Sequence, residues 1–190
     1  SVVGHCDIRV AVMGLERATS PAKPSEQELQ QMESLLEEAL DAGCVGMSLM
    51  TTRLDKVDGD RAWSRPLPST YARWNEFKRL FRILRRRNAV MQGAPDAVKK
   101  VNVVRFLWQA HGLFRRPMKC SMLTALDLKS NPWLNVVTRL SGFVANRFLR
   151  GNFRWQTLPA PFTLYPSGLN VNAFEEFSSG ELLRDYKDED

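Results

Sequence analysis

The chain has 190 residues, 44% hydrophobic and 25% charged, and its 27 Lys and Arg against 21 Asp and Glu leave a net charge of +6. This is the make-up of an ordinary globular domain, and no apolar run approaches the roughly 20 residues needed to cross a bilayer, so no membrane partner is expected. Three cysteines (Cys6, Cys44 and Cys120) are too few and too scattered for a disulfide framework; each sits in or beside an apolar run as a small hydrophobe, which suits a reducing cytoplasm.

In chain order, Ser1-Val2-Val3-Gly4-His5 has neither an initiator Met nor an apolar leader and reads as a chain cut inside a strand. Gly14 to Pro24 is a polar connection. Ser25-Glu26-Gln27-Glu28 then reads as a capping box. Leu29, Met32, Leu35, Leu36 and Ala39 follow at helical spacing, and Gly43 stops the helix. Residues 44–50 form a short apolar strand of the buried parallel kind.

A long polar loop spans Thr51 to Pro68, and Ser69 or Thr70 is expected to cap a helix whose stripe is Trp74, Phe77, Phe81 and Leu84. Ala89 to Gly93 is a strand, Asp96 to Leu113 a helix with Val103, Phe106, Leu107 and Ala110 on one face, and Met118 to Leu123 a strand. Pro132 opens a further helix at the position where its missing N–H costs nothing. The stripe of that helix is Val136, Val137, Leu140, Val144 and Phe148. Phe153 to Gln156 is a last short strand, and irregular chain with a partly helical stretch from Phe174 to Tyr186 follows.

Five strands, counting Val2-Val3, thus alternate with four helices. That alternation predicts parallel βα units. No glycine-rich phosphate loop follows any strand. The longest loop, residues 51–68, follows a strand, as in a barrel whose chemistry sits on the loops after its strands. The fold class expected is therefore α/β, a partial (β/α)8 TIM-type barrel of about four to five βα units, an eight-unit barrel usually taking roughly 250 residues.

Val3-Gly4-His5, Arg9 and Val12-Met13-Gly14-Leu15-Glu16 resemble the "VGH…LR…VMG" segment of the N-acyl-D-amino-acid deacylases (D-aminoacylases) of the amidohydrolase superfamily. Gln31-Met32 through Leu35-Leu36-Glu37-Glu38-Ala39-Leu40-Asp41-Ala42-Gly43 to Gly46-Met47-Ser48 is similar to that family's "M..LLEEALDAGA.GLS" helix and strand. Arg147, Pro159-Ala160-Pro161-Phe162 and Phe174-Glu175-Glu176-Phe177 resemble a divergent subgroup. The resemblance implies that residues 1–190 are one partial amidohydrolase-like barrel, incomplete at the N-terminus and at the C-terminus. It implies hydrolysis of a non-peptide C–N bond of the N-acyl amino acid type, with one or two zinc ions activating water. Where the family carries "TH.R" this chain has Gln92-Gly93-Ala94-Pro95, and where the family carries "SH" it has Leu123-Thr124-Ala125 with Asp127 beyond. The family's His-x-His pair and late aspartate would lie outside residues 1–190, so no zinc ligand is evident within the chain.

The candidate site follows from strand ends. His5 is read as contacting substrate or ordering a loop, against a histidine that only satisfies its neighbours. Ser48 and Thr51 offer hydroxyls to substrate, although such residues equally cap and turn chain. Gln92 stands where the family has a metal ligand, and an amide suits substrate hydrogen bonding better than zinc. Asp127 is the candidate metal ligand or general base. Arg53, Arg61 or Arg65 of the long loop would pair with a substrate carboxylate. His111 reads as a helix-terminal residue favoured by the dipole. Two rivals remain: a catalytically degenerate barrel that binds a small acylated ligand, and a basic nucleic-acid-binding domain. The run Arg85-Arg86-Arg87, with Arg73, Lys78, Arg79 and Arg82, falls mostly opposite the apolar stripe of its helix, so it reads as a solvated face and no nucleic-acid partner is expected.

Overall fold

A computed structural model describes residues 1–51, 55–57, 62, 65–94, 100–123 and 132–156. Among them the chain runs β1 (Val3–Gly4), α1 (His5–Met13), α2 (Leu15–Ala18), α3 (Glu26–Asp41), β2 (Gly46–Met50), α4 (Pro68–Tyr71), α5 (Trp74–Arg86), β3 (Val90–Ala94), α6 (Lys100–Ala110), β4 (Lys119–Leu123), α7 (Pro132–Arg147) and β5 (Asn152–Gln156).

Helix α3 begins and ends by local chemistry. The Ser25 hydroxyl accepts from the Glu28 N–H at 3.1 Å, and the Glu28 carboxylate accepts from the Ser25 N–H at 2.7 Å, closing the expected capping box. Gly43 takes φ +98°, the Cys44 N–H returns to the Ala39 carbonyl at 3.0 Å, and the Gly43 N–H returns to Leu40 at 3.2 Å. That pair of bonds is a Schellman ending. Helix α5 ends the same way, with Asn88 at φ +58° in the glycine position and Ala89 donating to Leu84 at 2.8 Å.

The five strands form one parallel sheet in the order β1-β2-β3-β4-β5, as the alternation predicts. The order never reverses, so these strands contain no switch point of the doubly wound kind. The register puts Gly4, Ser48, Gln92, Ser121 and Arg154 in one row across the sheet. Strand side chains alternate in burial. Met47, Leu49, Met91, Cys120, Met122 and Phe153 are buried, in one cluster with Ile8, Met32, Leu36, Phe77, Phe81, Phe106 and Ala145 of the helices. The row of Ser48, Gln92 and Ser121 is only half-buried, and Arg154 is exposed. Among the described residues, one face of the sheet therefore carries the helices and the core, and the other is left open. Gly46 permits the close packing of β2 on β3, because a Cβ there would come within 1.9 Å of the Val90 carbonyl oxygen.

Four expectations need correction. His5 opens α1 instead of ending a strand, because β1 stops at Gly4. Ser69 and Thr70 lie in the short α4, started by Pro68, and α5 is capped by Arg73 without a side-chain bond. Helix α6 ends at Ala110, not Leu113. Past it the Gly112 N–H bonds the Leu149 carbonyl at 2.9 Å, where a Cβ on Gly112 would meet the Arg150 carbonyl oxygen at 2.5 Å. The apolar stripe of α7 faces outward, with Val136, Val137, Leu140, Val144 and Phe148 all exposed. Its polar side turns to the sheet instead. The Asn146 amide exchanges two 2.8 Å hydrogen bonds with the Phe153 backbone, the Trp155 indole N–H donates to Ser141 at 3.1 Å, and Thr138 is buried.

Candidate functional site

The C-terminal ends of β1 to β4 border a cleft of about 400 Å³ lined by Gly4, Cys6, Asp7, Ser48, Gln92 and Leu123, among others. Ser48 and Gln92 reach it because period-2 alternation sends both to the open face; they are direct neighbours in register. Together they offer a hydroxyl and an amide, groups that donate and accept hydrogen bonds without net charge. Asp7 is the charged residue among the described residues of this lining. Arg154 is the cation of the row that runs through Ser48 and Gln92, two strands beyond Gln92, or about 10 Å along the sheet at normal strand spacing.

Beneath this cleft, α1 is tied to α4 and α5 by a buried polar chain. His5 is wholly buried; its Nδ1 lies 2.8 Å from the Ser69 hydroxyl and its Nε2 lies 3.0 Å from Glu76 Oε1. The other Glu76 oxygen accepts from Arg9, whose remaining donors reach the Ala18 carbonyl at 3.3 Å and the Ala22 carbonyl at 3.1 Å. The Cys6 thiol stands 3.0 Å from Ser69 Oγ. A carboxylate only accepts, so His5 Nε2 carries a hydrogen and donates to Glu76. Burial alone would raise the Glu76 carboxyl above its ordinary range; His5 and Arg9 outweigh burial and hold it below. The contacts thus run without a break from the thiol at the edge of the cleft to the Arg9–Glu76 pair inside. Its structural effect is to fix where α1 leaves β1.

Of the residues singled out from the sequence, the structure brings Ser48 and Gln92 together. His5 contributes from below the cleft, with both ring nitrogens engaged. Thr51 is buried and its hydroxyl donates to the Ala94 carbonyl at 3.2 Å, so it fastens β2 to the end of β3. Arg65 pairs with Glu16 at 2.9 Å, both well exposed. Such a pair contributes little. Arg53, Arg61 and Asp127 lie outside the described residues. His111 follows α6 on the side where β4 begins, against Trp108, away from the cleft. The sequence reading missed Glu76, and it gave Arg9 and Ser69 no part in a site. The available signal was Glu76 inside the apolar stripe of α5, beside Phe77 and one turn before Leu80, where a carboxylate needs a buried partner.

A zinc ion, which the family resemblance implies, does not fit the donors described. Among the described residues no group of three or more His, Cys, Asp or Glu is placed to hold a metal. His5 spends both nitrogens on Ser69 and Glu76, and Gln92 and Ser48 offer neutral oxygen, a weak match for zinc.

No protein-family model matches the chain, and no solved structure does. Uncharacterized proteins of Mycobacterium tuberculosis (strains H37Rv and CDC 1551) and of Mycobacterium bovis are each 43% identical to it over 192 residues. The match takes in all of this chain and 31% of each relative, so the chain spans about a third of the length of the curated relatives it matches.

Proposed function

We propose that this chain is part of a (β/α)8 barrel hydrolase of the amidohydrolase kind, acting on the linear amide of an N-acyl amino acid, and that it supplies one wall of the substrate cleft. The observation that carries the reading is the cleft itself. It lies at the C-terminal ends of parallel strands set in sequential order, with Ser48 and Gln92 side by side in it. Barrel enzymes place their chemistry at that end, and an open sheet face opposite a single helical layer is what a barrel wall presents. The likeness of residues 1–50 to D-aminoacylases supports the substrate class. In this reading Gln92 and Ser48 hydrogen-bond the amide or the acyl oxygen, and Arg154 in the same row meets the substrate carboxylate. The buried His5–Glu76–Arg9 chain keeps α1 and the cleft floor in place. No step is assigned to a metal within this chain. A cytoplasmic setting goes with the reading, supported by three free cysteines. None of the described helices is long and apolar enough to cross a membrane.

A second reading has its own observation: Gln92, an amide, stands where the family carries a histidine. A barrel relative that binds an acylated amino acid without cleaving it would keep Ser48 and Gln92 for recognition alone.

The full-length protein incubated with N-acetyl D- and L-amino acids tests both, read by release of the free amino acid. Release is expected, with Gln92→Ala raising KM about three- to tenfold at nearly unchanged kcat, the signature of a lost hydrogen bond made equally in ground and transition states. Saturable binding without release selects the second reading, and neither binding nor release overturns both.

A further inference from the structure

The basic residues of α5 fall on two flanks that the fold treats differently. Toward α3 they are neutralised. Arg79 pairs with Glu33 at 2.7 Å and with Glu26, Arg86 pairs with Glu37, and Arg87 pairs with Glu37 at 3.2 Å and with Asp41. Glu33 first, then Glu26, hold the Arg79 guanidinium above its ordinary value. Toward α6 the pattern changes. A cleft of about 780 Å³ opens there, lined by Lys78, Arg82 and Arg85 from α5, Arg105 from α6 and Arg115 beyond it, with no carboxylate among the described lining residues. Arg82 also borders the α3 side, where it helps hold Glu33 down.

The inner end of this cleft is a convergence of like charge. Arg85 donates to the Gln109 backbone carbonyl at 2.9 Å and to its side-chain oxygen at 3.3 Å; Arg115 reaches the same side-chain oxygen at 3.4 Å and the Trp108 carbonyl at 3.2 Å. These acceptors are all neutral. The Nε atoms of both arginines are buried without a hydrogen-bond partner. Burial, and then Arg115, push the Arg85 guanidinium below its ordinary value; burial pushes Arg115 the same way. Neighbouring His111 is lowered by burial and then by both arginines. Cations gathered without a counter-charge destabilise a fold unless an anion joins them. The walls are aromatic. Arg105 sits 5.5 Å from the Trp74 ring centre, and Trp108 is 54% exposed.

We propose that the α5–α6 cleft is a binding site for a phosphorylated ligand with a planar ring, of the nucleoside di- or triphosphate class. Guanidinium forks match phosphate oxygens in pairs, so the phosphates lie among Arg85, Arg105, Arg115 and Lys78. The ring lies against the Trp108 indole. The volume falls in the range of small-molecule sites, about 300–1,000 Å³. The neutralised α3 flank ends the positive surface within one helix width, which favours a compact ligand over a nucleic-acid strand. The site lies on the helical side of the sheet and does not depend on the hydrolase reading.

Calorimetric titration of the full chain with ATP tests the proposal, alongside inorganic tripolyphosphate, adenosine and a single-stranded oligonucleotide. ATP is expected to bind saturably with Kd below about 1 mM, more tightly than tripolyphosphate, with no detectable binding of adenosine. Arg105→Gln and Lys78→Gln, both at exposed positions, should each weaken ATP about tenfold, the loss expected for one charge-assisted contact, while circular dichroism stays unchanged. Arg87→Gln, on the neutralised flank, should leave the affinity as it was. Absence of saturable ATP binding would overturn the site. So would equal weakening by Arg87→Gln, tripolyphosphate as tight as ATP, or an oligonucleotide bound more tightly than ATP.

Discussion

Replacing Glu76 by Gln removes the carboxylate on which two buried groups depend. Glu76 is 2% exposed and both Arg9 and His5 are fully buried, so water cannot take over the lost partner. Gln keeps the shape but presents Arg9 with a neutral oxygen or an NH2 group. Arg9 retains the Ala18 and Ala22 carbonyls at 3.3 and 3.1 Å, which solvate but do not neutralise it. Breaking a buried pair by deleting one partner costs about 3–5 kcal/mol. For a domain of this size each kcal/mol moves Tm by about 2–4 °C, so Glu76→Gln should lower it by about 6–20 °C. Removing both charges avoids the stranded guanidinium, so Arg9→Met with Glu76→Met should recover much of the loss, giving a coupling energy above about 1 kcal/mol in the double-mutant cycle. Thermal unfolding followed by circular dichroism measures the parent, Glu76→Gln, and the two Met single mutants with their double mutant. A single mutant within about 2 °C of the parent, or a double mutant equal to the sum of the singles, would refute the buried pair as the tie between α1 and α5.

Acid should loosen the fold through the same class of group: Glu76 is held below its ordinary range, and Glu28 is pulled down to about 2 by Arg17 first and then by the Ser25 N–H. Both carboxyl groups are depressed on folding, so their stabilisation is present above the unfolded value of about 4.3 and is lost as pH falls below it. Tm should therefore drop between about pH 5 and 2, with Glu28→Gln flattening part of the drop; a Tm independent of pH over that window would contradict it. The Cys120 thiol, pushed up to about 12 by burial, should resist alkylation at pH 8 while Cys6 and Cys44, both partly accessible, react; mass spectrometry of the labelled chain decides. Helix α7 shows an apolar face to solvent, with Val137 and Leu140 nearly 60% exposed, so the double change Val137→Lys, Leu140→Lys should reduce self-association in sedimentation runs without lowering Tm. A lower Tm would mean that this face packs against the protein.

Local chemistry made several elements legible. Ser25, Glu28 and Gly43 delimit α3 through bonds that involve only nearby residues, and the short apolar runs found their strands within a residue or two. The sheet's parallel character followed from alternation, whereas its order came from long-range pairing that no single window holds. Helix α7 shows how periodicity misleads: its apolar stripe is real, but Asn146 and Ser141 bond the sheet and turn that stripe outward. Ser48 and Gln92 were legible because position on a strand fixes the face. The network around Glu76 was not, since its partners are separated by 71 and 67 residues. The basic run of α5 read as one solvated face; only the placement of α3's glutamates and of Arg105 and Arg115 divides it into a neutralised flank and a cationic cleft.

The claim at the centre is that Ser48 and Gln92 form part of a substrate wall on the open face of the sheet. Titration of the isotope-labelled chain with an N-acetyl amino acid, followed by NMR, addresses it most directly. The side-chain amide of Gln92 and the backbone amide of Ser48 should shift saturably while the resonances of α3 stay still. Shifts confined to the helical face, with Gln92 unmoved, would contradict it.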